Sequence, residues 1–348
     1  MTTCSVIFMR RALDLATKGG RDVMPNPQVG CVIVHEGKVI GEGWHKKYGE
    51  AHAEVNAIND VQDKELLKQS TLYVTLEPCS HFGKTPPCAD LIIKTGIPKV
   101  VIASVDPNPI VAGNGIKKLK NAGIEVESGI LNAENRELNV RFFTFHEKKR
   151  PYVILKWAQS ADGFLDKIRK SPDEKPRWIT DEFSRTLVHK WRAREQAIMA
   201  GANTILKDNP KLNVRNWPGK DPVRFALTRK TVFPDGYNLL DGSTETYIIT
   251  DSSGYPQHQN TKLIVLQETS VCNILNRLYQ MNIQSLFVEG GADTLQFFID
   301  SGLWDEARVF TGMMKFRNGV KAPAILSEPK SEVLLSKGIR LQTYQNKT

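Results

Sequence analysis

Cysteine is scarce in this chain: five among 348 residues, at positions 4, 31, 79, 88 and 272. They are too few and too scattered to staple a protein of this length, which excludes a disulfide framework. Long apolar runs are missing as well. No stretch approaches the roughly 18 residues that a membrane helix requires. Arg10-Arg11 interrupt the first apolar residues before a secretory core can form, so neither a signal peptide nor a membrane span is expected. The halves share no internal repeat, and no segment is of low complexity.

A dominant charge of one sign is lacking too. The 47 basic and 38 acidic residues leave +9, and residues 1–150 hold 20 and 17 of them, with 27 and 21 beyond. Neither half is a basic arm, and no Lys/Arg stripe with interleaved aromatics marks a nucleic-acid partner. A mildly basic surface is first a solvated one and second an attraction for phosphorylated small molecules. The length exceeds a comfortable single core and implies two domains. Hydrophobic content of 41% and charged content of 24% are ordinary for a globular protein.

What is present is a spaced set of metal-binding residues. His52-Ala53-Glu54 is followed by Pro78-Cys79 and then by Cys88. An imidazole and two thiolates suit zinc, and a catalytic zinc site keeps three protein ligands with one place open. His-x-Glu followed by Pro-Cys is the pattern of hydrolytic zinc deaminases, in which the Glu shuttles protons instead of binding the metal. His52, Cys79 and Cys88 are therefore the candidate ligands and Glu54 the candidate acid/base. The plain alternative is four unrelated residues, but their order and context argue against it. The usual second half is Cys-x-x-Cys, whereas position 82 is Phe and the next cysteine is Cys88. Because Cys79 and Cys88 bind metal as thiolates, a reducing compartment, the cytoplasm, is expected. Cys31 lies in the apolar run 29–34 and reads as a small buried hydrophobe.

Periodicity places these residues. Met9, Ala12, Leu13 and Ala16 share a helical face that Gly19-Gly20 ends. Strands are expected at 29–34, 39–44, 71–76, 99–105 and 124–127, with helices at 51–59, 89–95 and 115–122. His52 and Cys88 then sit at helix starts, where free N–H groups and partial positive charge favour thiolate. Glu147-Lys148-Lys149-Arg150-Pro151 is charged and ends in proline, which puts a boundary there and domains at 1–147 and 148–348. Beyond it, strands are expected at 152–157, 197–200, 223–228, 246–250, 262–266 and 285–289, with helices at 181–194, 271–281 and 294–301. Such alternation implies α/β layers.

The loop Cys79-Ser-His-Phe-Gly-Lys-Thr-Pro-Pro-Cys88 stands with Pro25-Asn26-Pro27-Gln28-Val29-Gly30, Thr75-Leu76-Glu77-Pro78-Cys79-Ser80-His81 and Asp106-Pro107-Asn108-Pro109. In the second half come Lys156-x-x-x-Ser160-x-Asp162-Gly163, Trp178-Ile179-Thr180 and Gly201-x-x-Thr204-x-x-x-Asp208-x-Pro210-x-Leu212-x-x-Arg215. Together they resemble the bifunctional riboflavin-biosynthesis enzymes, a diaminohydroxyphosphoribosylaminopyrimidine deaminase fused to an aminouracil reductase. The resemblance spans nearly the whole chain. It implies a cytidine-deaminase-like three-layer domain followed by a dihydrofolate-reductase-like domain. Zinc and NADPH would be the cofactors and a phosphorylated pyrimidine the substrate, and association into a homo-oligomer stays open.

By that resemblance Asn26 faces the pyrimidine; its Pro-Asn-Pro frame is otherwise a rigid turn. Ala158, Trp178, Thr204, Asp208, Arg229 and the segment Gly291, Ala292, Asp293 and Thr294 would line the NADPH site. Lys156, Arg192, Leu212, Arg215 and Glu289 would lie on the substrate side. Val288-Glu289-Gly290-Gly291 ends a strand before a helix, a turn that suits phosphate or is merely a glycine turn. Two departures stand out. Pro176 replaces a Ser two residues before Trp178, and Arg229 replaces a Ser, where it either pairs with a phosphate or blocks it. Other readings stay open on the sequence. They are a monofunctional deaminase with a degenerate second half, a nucleic-acid deaminase, and a zinc-stabilised binding module that would have no use for Glu54.

Overall fold

The computed structural model describes residues 3–82, 86–109, 112–169, 171, 174 and 176–346. The chain divides into two compact units, Met1–Lys149 and Arg150–Thr348. Among the described residues, no helix is long and apolar enough to cross a membrane.

In the first unit the strands are β1 (Gly30–His35), β2 (Lys38–Trp44), β3 (Thr71–Leu76), β4 (Lys99–Ser104) and β5 (Glu125–Ser128). They form one sheet in the order β2-β1-β3-β4-β5. β1 runs antiparallel to β2 and β3, while β3, β4 and β5 are parallel. The β1–β2 hairpin turns through Glu36 and Gly37, both at positive φ, which matches the right-handed twist of the strands. The helices are α1 (Thr3–Ala16), α2 (Ala53–Asp60), α3 (Cys88–Thr95), α4 (Asn114–Asn121), α5 (Asn132–Leu138) and α6 (Val140–Lys148).

Each face of this sheet buries its own apolar cluster. Ile33, Leu72, Val74 and Ile102 pack with Ala57, Ile92 and Leu119 on one side. Val32, Tyr73, Val101 and Ala103 pack with Met9 and Ala12 on the other. Alternate residues of a strand point to opposite faces, so the continuous apolar run at 100–103 marks a strand covered on both sides. The unit is thus three layers, helix, sheet and helix. Close packing of α2 on β2 depends on Gly43. A Cβ there would lie 2.4 Å from the Ala57 amide nitrogen and 2.5 Å from the Ala53 carbonyl oxygen. That approach sets the start of α2, and hence His52 and Glu54, against the sheet.

The second unit comprises β6 (Tyr152–Gln159), β7 (Phe164–Asp166), β8 (Ala197–Gly201), β9 (Val223–Leu227), β10 (Thr246–Thr250), β11 (Lys262–Val265), β12 (Ser285–Val288), β13 (Glu306–Thr311), β14 (Val320–Lys321), β15 (Ser331–Leu334) and β16 (Arg340–Gln345). Its helices are α7 (Glu182–Arg194), α8 (Ala202–Asp208), α9 (Val271–Gln280) and α10 (Ala292–Ser301). The main sheet has the order β11-β10-β9-β8-β12-β6-β13-β16-β15, and β7 pairs with β14 apart from it. From β11 to β13 neighbouring strands are parallel, and β16 and β15 close the edge antiparallel. Val153, Leu155, Ala197, Met199, Phe225, Leu286 and Val288 form the centre of its core with Ile274, Leu278, Leu295 and Phe298 of the helices. Asp305 anchors the start of β6. It accepts from both Arg150 guanidinium nitrogens, at 2.6 and 2.8 Å, and from the Val153 amide at 2.8 Å.

The expected elements appear with ends displaced by at most two residues. Helices α5, α6 and α8 and strands β7 and β13 to β16 carry no counterpart in the sequence reading.

Candidate functional site

The sequence places His52 and Cys88 at helix starts, and the fold brings those starts together. His52 caps α2 in extended conformation and Cys88 is the first residue of α3. Cys79 follows β3 in the loop toward α3, of which residues 83–85 lie outside the described ones. His52 Nδ1 stands 3.7 Å from Cys79 Sγ and 3.4 Å from Cys88 Sγ, and all three donor atoms fall within 4.8 Å of one another. The Cys88 amide donates to Cys79 Sγ at 3.3 Å. Hydrogen bonding with Cys88, opposed by burial, lowers the Cys79 thiol, and the same bond together with burial raises Cys88. His52 is raised in turn by its hydrogen bond with Cys79, against burial, so one thiolate beside a protonated His52 is favoured until a cation takes the place of the protons. Two thiols and one imidazole at this mutual separation fit a zinc ion.

Glu54 lies in the first turn of α2 with 3% of its surface exposed. Burial raises its carboxyl to about 7, against the opposing charge of His52. It lines a cavity of about 360 Å³ together with His52, Cys79, Asn26, His45, Asp106 and Asn108. Buried His45 contacts the Ala51 carbonyl through Nδ1 at 3.1 Å and the Asn26 amide nitrogen through Nε2 at 3.2 Å. A carbonyl only accepts, so Nδ1 carries the hydrogen and Nε2 accepts from Asn26. Asn26 Oδ1 is then left to accept from a ligand.

In the sequence Asp106 and Asn108 stand only as part of a motif, and His45 belongs to none of the motifs quoted. The structure sets all three in the cavity wall. The segment of Asp106 and Asn108 is held by Glu77, which is buried and accepts from the amides of Asp106 at 3.2 Å, Gly113 at 3.0 Å and Ile116 at 3.1 Å. His81 also lines the cavity and is exposed, outside the cluster of donor atoms.

The second unit carries a second cavity, of about 330 Å³, where β8, β9 and β12 end. Thr204, Arg229, Gly291, Asp293 and Thr294 line it, as do Gly201 and Lys230. A Cβ on Gly201 would stand 2.0 Å from Thr294 Oγ1, so only glycine lets the α10 start approach β8. The carboxyl ends of parallel strands are where open α/β sheets bind nucleotides, and the paired cations 229 and 230 fit an anionic one. The remaining cofactor-side residues are not part of its lining. Ala158 pairs with Phe310 across β6 and β13, and Ala292 opens α10. Trp178 is exposed with the Arg185 guanidinium 5.1 Å from its ring centre. Asp208 is ion-paired with Arg169 at 2.6 Å.

Lys156, Arg192 and Glu289 do come together. Glu289 accepts from Arg192 Nε at 2.6 Å and Nη2 at 3.0 Å, and from Lys156 Nζ at 3.3 Å. Burial alone would raise this carboxyl, but the Arg192 and Lys156 charges outweigh it and bring it to about 2. Arg215 is close enough that Arg192 adds to burial in lowering its guanidinium. Leu212 is buried, at φ +49°, in the loop leading to Arg215. Replacing Glu289 by Gln strands two largely buried cations. We expect a cost of about 3 kcal/mol, seen as a lowered unfolding midpoint of the second unit.

Known proteins resemble both halves. The family described as "Cytidine and deoxycytidylate deaminase zinc-binding region" matches residues 3–104, and "RibD C-terminal domain" matches residues 151–314. The riboflavin biosynthesis protein RibD of Aquifex aeolicus is 43% identical over 309 residues, 87% of this chain and 85% of that protein. The RibD of Bacillus amyloliquefaciens is 41% identical over 92% of this chain and 87% of its own length. A solved diaminohydroxyphosphoribosylaminopyrimidine deaminase/5-amino-6-(5-phosphoribosylamino)uracil reductase from Thermotoga maritima superposes with a TM-score of 0.86 at 38% identity, covering 99% of each chain. Acinetobacter baumannii RibD gives 0.86 at 34%, covering 98% of this chain and 99% of that one. The chain belongs to the RibD family of bifunctional riboflavin-biosynthesis enzymes, with a cytidine-deaminase-like zinc hydrolase unit followed by a reductase unit.

Proposed function

We propose that residues 1–147 deaminate 2,5-diamino-6-ribosylamino-4(3H)-pyrimidinone 5′-phosphate and that residues 148–348 then reduce its ribosyl group to ribityl with NADPH. The observation that carries the first step is the convergence of His52, Cys79 and Cys88 with buried Glu54 on one cavity wall. His52, Cys79 and Cys88 would hold zinc, which when bound supplies a Lewis acid that makes water acidic near neutral pH. Glu54, with its carboxyl near 7, is matched to proton transfer at that pH. It takes a proton from the attacking water and delivers it to the departing amine. Water adds, ammonia leaves and a ring carbonyl remains. Asn26 Oδ1 orients the ring by accepting from one of its N–H groups, held in place by His45.

On the reductase side, Lys156, Arg192 and Arg215 bring three positive charges against the single carboxylate of Glu289. The surplus of two matches a phosphate monoester, which carries about −1.5 to −2 near neutral pH, and guanidinium forks suit its oxygens. Leu212 would pack beside that group. NADPH, when bound along Thr204, Arg229, Gly291, Ala292, Asp293 and Thr294, supplies hydride; Ala158, Trp178 and Asp208 would complete its site. Arg229 lines the cavity with an exposed side chain, a placement that favours pairing with a cofactor phosphate over blocking the site. The protein's own work is to position the sugar carbon against the nicotinamide. Free thiols at 79 and 88 suit the reducing cytoplasm.

The deciding measurement supplies the diaminopyrimidine ribotide with and without NADPH. Ammonia should appear in both cases and the ribityl product only with NADPH. Ribityl product without NADPH, or no ammonia in either case, overturns the assignment.

A further inference from the structure

We propose that His189 is a positioning residue of the reductase site: from helix α7 it accepts the Arg215 backbone N–H and so holds that arginine beside Arg192. The inference rests on the reading of Lys156, Arg192 and Arg215 as the phosphate-binding cluster, and it adds how the cluster is assembled. Two guanidinium groups repel, and Arg192 spends two of its donors on Glu289, so Arg215 gets no such clamp from that carboxylate. Its place is set through the backbone instead.

Three consecutive residues of that loop are pinned. Arg192 Nη1 donates to the Asn213 carbonyl at 3.0 Å, the Val214 amide donates to Asp221 Oδ1 at 2.6 Å, and the Arg215 amide donates to His189 Nδ1 at 3.3 Å. His189 and Arg192 lie three residues apart on α7, one turn, and therefore share a face. One helix thus fixes both arginines, the first by its own side chain and the second through the histidine. The Arg215 side chain folds back onto Asn213 Oδ1 at 2.9 Å, within the same pinned segment.

An accepting Nδ1 requires a neutral ring. His189 is 3% exposed, and burial followed by the Arg192 and Arg215 charges lowers it to about 4, with Glu289 and the Asn213 backbone pulling the other way. At neutral pH the ring accepts and adds no third cation to the pair.

The test uses the full chain and the reductase step, with the deaminated ribotide and its dephosphorylated nucleoside as alternative substrates. His189→Leu should raise KM for the ribotide on the order of tenfold, the size of a lost buried hydrogen bond. Its kcat, its NADPH affinity by fluorescence titration and its kcat/KM for the nucleoside should stay within about twofold. Asn places Oδ1 where the histidine carries Nδ1, so His189→Asn should recover most of the loss. An unchanged KM, or an equal loss on both substrates, overturns the brace. Should the leucine variant lose NADPH binding, His189→Gln, which moves the acceptor by one methylene, is read by the same criteria. Arg215→Ala separates the two layers. If it leaves KM for the ribotide unchanged, the phosphate cluster itself is refuted; if it raises KM while the His189 variants do not, only the brace falls.

Discussion

Glu54→Gln is expected to keep its zinc and its fold while losing deamination by a factor on the order of 10³, within the range general acid–base catalysis supplies. The amide has nearly the shape of the carboxylate but can neither take the proton from water nor pass it to the amine. Glu54 sits in the first turn of α2 and is fully enclosed. Among the described residues, the other carboxylates of the cavity are engaged or exposed: Glu77 accepts from the amides of Asp106, Gly113 and Ile116, Asp106 accepts from the Asn108 amide at 2.8 Å, and Glu50 is exposed. Ammonia release and metal content are measured on the same sample. Reduction of the pre-deaminated ribotide should be unaffected. Near-normal ammonia release would remove Glu54 from the mechanism.

Cys88→Ser carries the second large effect. Serine offers a hydroxyl that stays protonated near neutral pH where zinc needs a thiolate. Metal affinity should fall by more than about 100-fold, since partners beyond the ligands are themselves worth 10–100-fold. Deamination should disappear with the metal. His81→Ala should retain one zinc per chain, because His81 lies outside the donor cluster. Metal content after dialysis decides the matter, and stoichiometric zinc in Cys88→Ser would mean that the loop from 79 to 88 has been misread.

Both effects were legible in the sequence for a physical reason. Zinc chemistry restricts its ligands to a few residue types, and the helix starts that present His52 and Cys88 announce themselves through local periodicity. The strands at 30–35, 71–76 and 99–104 were equally plain, because a strand buried on both faces reads as a mainly apolar, β-rich run. The resemblance to the riboflavin enzymes rested on the same kind of local signal, motifs of a few residues in fixed order.

What the tertiary structure alone decided lies between residues distant in sequence. Nothing local says that Glu77 will gather the amides of Asp106, Gly113 and Ile116, or that His45 will meet Asn26; contacts between residues 19 to 39 positions apart set both. Helix α5 escaped notice because Asn132–Leu138 is almost wholly polar and shows no apolar period. Strands β13 and β16 gain their identity from pairing at the far edge of the sheet. Glu289, which lies 133 positions from Lys156 and 97 from Arg192, forms one charged cluster with them only when β6, β12 and α7 meet. Residue type and local period settle which chemistry this chain can perform. Burial and long-range contact settle which of its many charges are neutral, paired or free to act.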